Sequence, residues 1–287
     1  MKKIFFLLLV SVGLYSCSSV PITGRQQLSL VSDSEVMTLS LQQYDEFMGT
    51  AKKSSNKTST ALVEKVGKDI AGAVEAYFKV TGMESLLSEY KWEFNLVEDE
   101  QVNAFCMPGG KIVVYTGILP YTQDATGLAV VLGHEVGHAI AKHANERMSN
   151  QMALNYGGVA LDAVLSGSSA TTKAIGETVW GLGSQVGVML PFNRKQELEA
   201  DHLGLILMAI AGYDPNQAIP FWQRMSQQGG GSIELLSTHP SDNNRIKEIQ
   251  KQLPEAMEYY NTIWGGGSST KTNTPAKSTS TSEDWHF

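Results

Sequence analysis

Two histidines four residues apart, with a glutamate directly after the first, are the side chains best placed for chemistry: His134-Glu135-Val136-Gly137-His138. On a helix, positions i and i+4 share a face about one turn apart, so both imidazoles can reach one metal ion. Glu135 sits about 100° around from His134, where it can hold and deprotonate a water that the ion has acidified. This H-E-x-x-H pattern is the one zinc hydrolases use, with the carboxylate as general base. A catalytic zinc also needs a third protein ligand and one open position.

The elements that must position these groups follow from the surrounding pattern. Thr122 or Asp124 can cap the motif helix, and Leu128, Val131, Leu132, Val136 and Ile140 supply its buried side. Gly133 and Gly137 each cost roughly 1 kcal/mol in a helix against Ala. Four apart, they clear a stripe along which another backbone can approach. A second helix, capped by Asn193 with Gln196 in capping-box position and ended by Gly212, carries Glu197, Glu199 and Asp201. Asp201 lies about 40° from Glu197, with Gly204 and Met208 continuing that stripe, while Glu199 points about 160° away from Glu197. Glu197 is therefore the expected third ligand. Asp201 is the expected acceptor for the outer N–H of a metal-bound histidine, fixing its tautomer.

Earlier in the chain, apolar periodicity predicts helices over about 34–52 and 58–80. Alternation at Trp92, Phe94 and Leu96 predicts a strand, followed by strands at Asn103–Phe105 and Lys111–Thr116 around the turn Met107-Pro108-Gly109-Gly110. They form a small antiparallel sheet just before the motif helix, and an exposed edge there could pair with an extended peptide. Residues 149–190, rich in Gly, Ala and Ser, read as two weakly amphipathic helices. A helix is expected from Asp214-Pro215 to about Gln227, and a last one from near Ser241. The Gly/Ser/Thr-rich residues 264–287 have almost nothing to bury and are expected to be a disordered tail.

The chain has 287 residues, 42% hydrophobic and 18% charged, enough to bury a real core. A net charge of −7 with no basic block argues against a nucleic-acid partner. Lys2 and Lys3 precede an apolar run too short to span a bilayer but right for a signal peptide, ending Leu14-Tyr15-Ser16-Cys17. That ending resembles a bacterial lipobox, which implies removal of residues 1–16 and acylation of Cys17. Residues 17–33 then read as a tether between the lipid and a folded domain over 34–263. Cys106, the other cysteine, reads as a small buried hydrophobe.

Further motifs are Glu197-Leu198-Glu199-Ala200-Asp201, Thr238-His239-Pro240 with Arg245-Ile246, Pro21-Ile22-Thr23-Gly24-Arg25, Asn103-Ala104-Phe105 and Ala211-Gly212-Tyr213-Asp214-Pro215. With the H-E-x-x-H stretch, these resemble the HtpX and CAAX-prenyl-protease family of gluzincin metallopeptidases, in its soluble bacterial lipoprotein (LoiP-like) branch. The resemblance implies an α+β, mainly helical domain with a small antiparallel sheet beside the active-site helix, and one Zn2+ per chain. It implies that His134, His138 and Glu197 bind the metal, that Glu135 is the base and that Asp201 supports the site. It places His239 near the metal, as an oxyanion stabiliser or as a switch over the open position. It makes Asn103, Ala104 and Phe105 the strand that pairs with substrate. The expected activity is endoproteolysis of unfolded or misassembled envelope polypeptides, from a lipid anchor on the periplasmic face of the outer membrane. The rival expectation is a lipoprotein chaperone that grips extended strands and cleaves little.

Overall fold

The computed structural model describes residues 17–166, 193–228, 235, 239 and 243–265. The leader over 1–16, most of the second helix expected before 190, Thr238 and Pro240, and nearly all of the tail lie outside the described residues.

Among the described residues a short hairpin comes first, β1 (Cys17–Ser19) antiparallel to β2 (Gln26–Leu28). Two helices follow. In α1 (Asp33–Thr50), Ser32 and Glu35 close a capping box. In α2 (Lys57–Val80), capped by Asn56, the fully buried stripe Val63, Val66, Ile70 and Val74 faces the core. Strands β3 (Glu93–Val97), β4 (Ala104–Met107) and β5 (Lys111–Tyr115) form one sheet in the order β3-β5-β4. Beyond it run α3 (Ala125–Ile140), α4 (His143–Ser166), α5 (Arg194–Ile210), α6 (Ala218–Gln228) and α7 (Asn243–Trp264). The result is a mainly helical α+β domain. Among the described residues, no helix is long and apolar enough to cross a membrane.

Two expectations change. The sheet is mixed rather than antiparallel: β4 pairs antiparallel with β5, but β3 runs parallel to it. Ile112, Val113 and Val114 are all fully buried, and a strand apolar on both faces belongs in the middle of a sheet. So β5 inserts between β3 and β4 instead of following as a meander. The other change concerns residues 17–33, read as a tether. Val20 is 1% exposed and joins the main core, and the half-buried Arg25 is ion-paired with Glu146 and Glu199. This segment docks on the domain.

The helix pair α3/α5 is the centre of the molecule. Asp124 caps α3 by accepting the Gly127 N–H, and the Asn193/Gln196 capping box starts α5. Gly212, at φ 90°, ends α5 in the left-handed region, where the Tyr213 N–H returns to the Met208 carbonyl. Trp264 Nε1 donates to the carbonyls of Ala209 and Ile210, tying α7 to the same helix end.

Candidate active site

The glycine stripe of α3 lies directly on α5. A Cβ built on Gly137 would fall 2.8 Å from the Ala200 carbonyl oxygen, closer than real side chains come. The approach brings the carboxylates of α5 up to the histidines of α3. His134 Nε2 and His138 Nε2 lie 3.1 Å apart. Glu197 Oε1 is 3.4 Å from His138 Nε2, and Oε2 is 3.5 Å from His134 Nε2. His239 Nδ1 completes the group at 2.9 Å from Glu197 Oε1 and 3.2 Å from His134 Nε2. All four residues are buried, and their ligand atoms lie within 4.8 Å of one another.

This donor set fits a metal ion. Tetrahedral ligands about 2.0–2.1 Å from a zinc stand about 3.3 Å apart, close to the separations just given. His134 Nδ1 lies 2.9 Å from Asp201 Oδ1, so its N–H points backwards and the Nε2 lone pair faces the cluster. Asp201 is itself gripped by Arg245, Nε to Oδ2 and Nη2 to Oδ1, both at 2.7 Å. The Arg245 guanidinium lies 3.4 Å from the centre of the Trp222 ring. Among the described residues, Glu197 Oε2 is a buried oxygen without a hydrogen-bond partner, as is Glu135 Oε1. Such atoms in a native core call for an ion or water.

The electrostatics agree. Burial drives His138 well below its ordinary value, leaving it neutral as a ligand must be. Burial and Arg245 push His134 down too, but Asp201 and Glu197 outweigh them and hold it at about 9. Burial opposes ionisation of Glu197, yet His239, His134 and His138 hold it well below the carboxylate range. Glu135, fully buried beside the cluster, is raised by burial, the direction a general base needs.

The remaining expected residues are placed as follows. Glu199 points away from the cluster and meets His143. Asn103 lies just before β4: its carbonyl accepts the Tyr115 N–H, and its side-chain Oδ1 accepts the Ala104 N–H. Ala104 and Phe105 lie in β4, the edge strand beside α3. Cys17 stands at the start of β1, paired with Leu28. Cys106 is half-buried in β4, its thiol pushed up by burial. Three residues with large structural roles here, Arg25, His143 and Arg245, were not singled out for any role by residue type or spacing. The signals were faint: a third histidine five residues after His138, and arginines inside two of the matched motifs.

A buried histidine pair on one helix, a carboxylate from a second and a carboxylate base beside them define a zincin-type metallopeptidase. The chain belongs to peptidase family M48, whose family model matches residues 67–253, and it is a metalloendopeptidase. It is 35% identical over 263 residues to the mitochondrial metalloendopeptidase OMA1 of Schizosaccharomyces pombe, covering 88% of this chain and 72% of that one. Against the human OMA1 the identity is 30% over 245 residues, 83% of this chain and 46% of the relative. The beta-barrel assembly-enhancing protease of Escherichia coli is 26% identical over 167 residues, 56% of this chain and 34% of that protein. These relatives do not carry the expected lipoprotein branch. They also correct the expected location: the more extensive matches are mitochondrial enzymes, against a place on the periplasmic face of a bacterial outer membrane.

Proposed function

We propose that the chain is a zinc endopeptidase in which His134, His138 and Glu197 hold the metal and Glu135 is the general base. The observation that carries this reading is the meeting of the two Nε2 atoms and the Glu197 carboxylate, with both imidazole hydrogens committed elsewhere. When bound, the ion supplies Lewis-acid polarisation of the scissile carbonyl and of the attacking water. Glu135, raised by burial, takes the proton from that water and passes it to the leaving amine. Asp201 holds the His134 ring in one tautomer, and Arg245 holds Asp201.

Substrate binds along β4. In its antiparallel ladder with β5, Asn103 pairs with Tyr115 and Phe105 with Val113, so alternation turns the Ala104 carbonyl and both backbone groups of Cys106 to the side away from β5, where no further strand pairs among the described residues. An extended polypeptide adds there as a further strand. Backbone pairing reads conformation rather than sequence, which suits unfolded or misassembled proteins. The name of the beta-barrel assembly-enhancing relative supports a quality-control role of that kind.

The test is metal content and cleavage of an unfolded polypeptide. Glu135→Gln should retain about one zinc per chain and lose about 10²–10⁴-fold in cleavage. His134→Ala and Glu197→Ala should lose the metal. Retention of full zinc by Glu197→Ala, or normal cleavage by Glu135→Gln, would refute the assignment.

A further inference from the structure

A second line of side chains leaves the candidate metal site and ends near the start of the chain. His138 Nδ1 lies 2.8 Å from His143 Nδ1, and His143 Nε2 lies 2.9 Å from Glu199 Oε2. The same carboxylate accepts Arg25 Nε at 2.7 Å and the Thr23 hydroxyl. Arg25 turns its other two nitrogens to Glu146, each at 2.8 Å, and Gln196 Nε2 donates to Glu146 at 2.8 Å. His143 is wholly buried and Glu199 is 5% exposed.

The hydrogens along this line have one consistent direction. Glu199, facing a guanidinium, is a carboxylate and only accepts. His143 therefore carries its hydrogen on Nε2, which leaves Nδ1 of the neutral ring as an acceptor. The hydrogen between the two rings then belongs to His138 Nδ1. That leaves the His138 Nε2 lone pair facing Glu197 and His134, as ligation requires.

The turn that supplies Thr23 and Arg25 is held against its own preference. The Val20 N–H donates to the Arg25 carbonyl at 2.7 Å and the Gly24 N–H to the Val20 carbonyl at 3.0 Å. Between them Ile22 takes φ 74°, a left-handed conformation that a β-branched residue adopts only where its surroundings impose it. The ion pairs of Arg25 with Glu146 and Glu199 and the burial of Val20 supply that constraint.

We propose that Arg25 and Thr23 are positioning residues for the metal site: the docked turn over 20–25 orients Glu199, which through His143 holds His138 in its ligating tautomer. This rests on the reading of His138 as a metal ligand. It makes metal retention depend on whether the turn over 20–25 is seated.

The experiment measures zinc affinity of the full chain by competition with a chelator. In parallel, side-chain ¹⁵N–¹H correlation spectra of the metal-free protein report which ring nitrogen of His138 carries the hydrogen. Arg25→Gln and Glu199→Gln should each weaken zinc binding about 10–100-fold. Thr23→Val should cause a smaller loss, and Arg25→Gln should add nothing to Glu199→Gln because the two act along one line. The spectrum should place the hydrogen on His138 Nδ1 in the parent and divide it between both nitrogens in Arg25→Gln. A lowered melting temperature with parental zinc affinity and tautomer in these variants would mean a merely structural turn and would overturn the proposal. Should Arg25→Gln fail to fold, Thr23→Val and Glu199→Gln decide alone. His138→Ala separates the two readings. If it keeps zinc, the ligand assignment falls and the positioning role with it. If it loses zinc while Arg25→Gln and Thr23→Val hold zinc normally, only the positioning role falls.

Discussion

Gly133 and Gly204 stand backbone to backbone where α3 meets α5: a methyl group built on Gly204 would lie 2.8 Å from the His134 nitrogen, and one on Gly133 would lie 2.9 Å from the Gly204 carbonyl oxygen. That spacing lets Glu197 and Asp201 reach His134 at all. Replacing Gly204 by Ala should gain up to about 1 kcal/mol in helix propensity, but the clash is with backbone, which cannot swing aside. Overpacking of this kind costs about 1–3 kcal/mol, so the net expectation is destabilisation. The variant should also lose zinc affinity as the helices part. Thermal unfolding beside metal analysis checks this, and a Gly204→Ala protein as stable and metal-rich as the parent would show that the helices can separate without consequence.

Arg245 should be as sensitive. It spans both oxygens of Asp201 and covers Trp222 from within the core. Arg245→Ala strands a buried carboxylate, a loss of about 3–5 kcal/mol. Arg245→Lys keeps the charge but cannot bridge two oxygens or stack flat on the indole, so it should fold better than the alanine variant and still bind zinc more weakly than the parent. Equal zinc affinity in Arg245→Lys and the parent would limit the arginine to a charge-balancing role.

What the sequence disclosed of this site was its local part. His134 and His138 share a face because helical spacing requires it, and the glycines at 133, 137 and 204 announce a close crossing by their size. The separation of Glu197 and Asp201 from Glu199 followed from 100° per residue alone. The partners that hold these groups come from far along the chain. Arg25 reaches Glu199 and Arg245 reaches Asp201 across 174 and 44 residues, and charged residues are expected at the surface unless a partner is known. The turn over 20–25 reads as a flexible tether because Pro, Thr and Gly are turn formers, while its docking depends on an arginine paired with two distant carboxylates. Strand order was also hidden, since alternation shows which face is buried and not which strand is the neighbour. The unbroken apolar run Ile112-Val113-Val114 was the cue to a central strand.

Acid should loosen α7 from α5. His202 Nε2 lies 2.8 Å from Glu255 Oε2, and that hydrogen bond holds Glu255 below its ordinary value despite burial. Among the described residues, Tyr77 and Tyr259 also interact with this carboxylate. A carboxylate lowered on folding contributes stability above its unfolded pKa, about 4.3, and loses it as pH falls through the folded value. The carboxylate is partly exposed, so the contribution should stay below about 1 kcal/mol. Melting temperatures of the parent and Glu255→Gln should differ at pH 7 and converge towards pH 3. A constant gap across that range would assign the effect to packing.

His239 decides whether the site as seen here can turn over. Its Nδ1 joins the other three donors, at 2.9 Å from Glu197 Oε1, while its Nε2 lies 3.5 Å from Glu135 Oε1. The ring therefore fills the space between base and ligands that a water and a scissile carbonyl must enter. Four protein donors make a closed zinc site, and catalysis needs one position free. The family resemblance left two roles open for this histidine, and the geometry favours occupation of the fourth position over stabilisation of an oxyanion. His239→Ala should then cleave an unfolded polypeptide faster than the parent, with zinc bound more weakly than in the parent but better than in His138→Ala. Removal of an oxyanion donor would act in the opposite direction, lowering turnover by about 10²–10³-fold. Initial rates at saturating zinc separate the two outcomes by sign, and a fall in rate with zinc fully bound would return His239 to the oxyanion role.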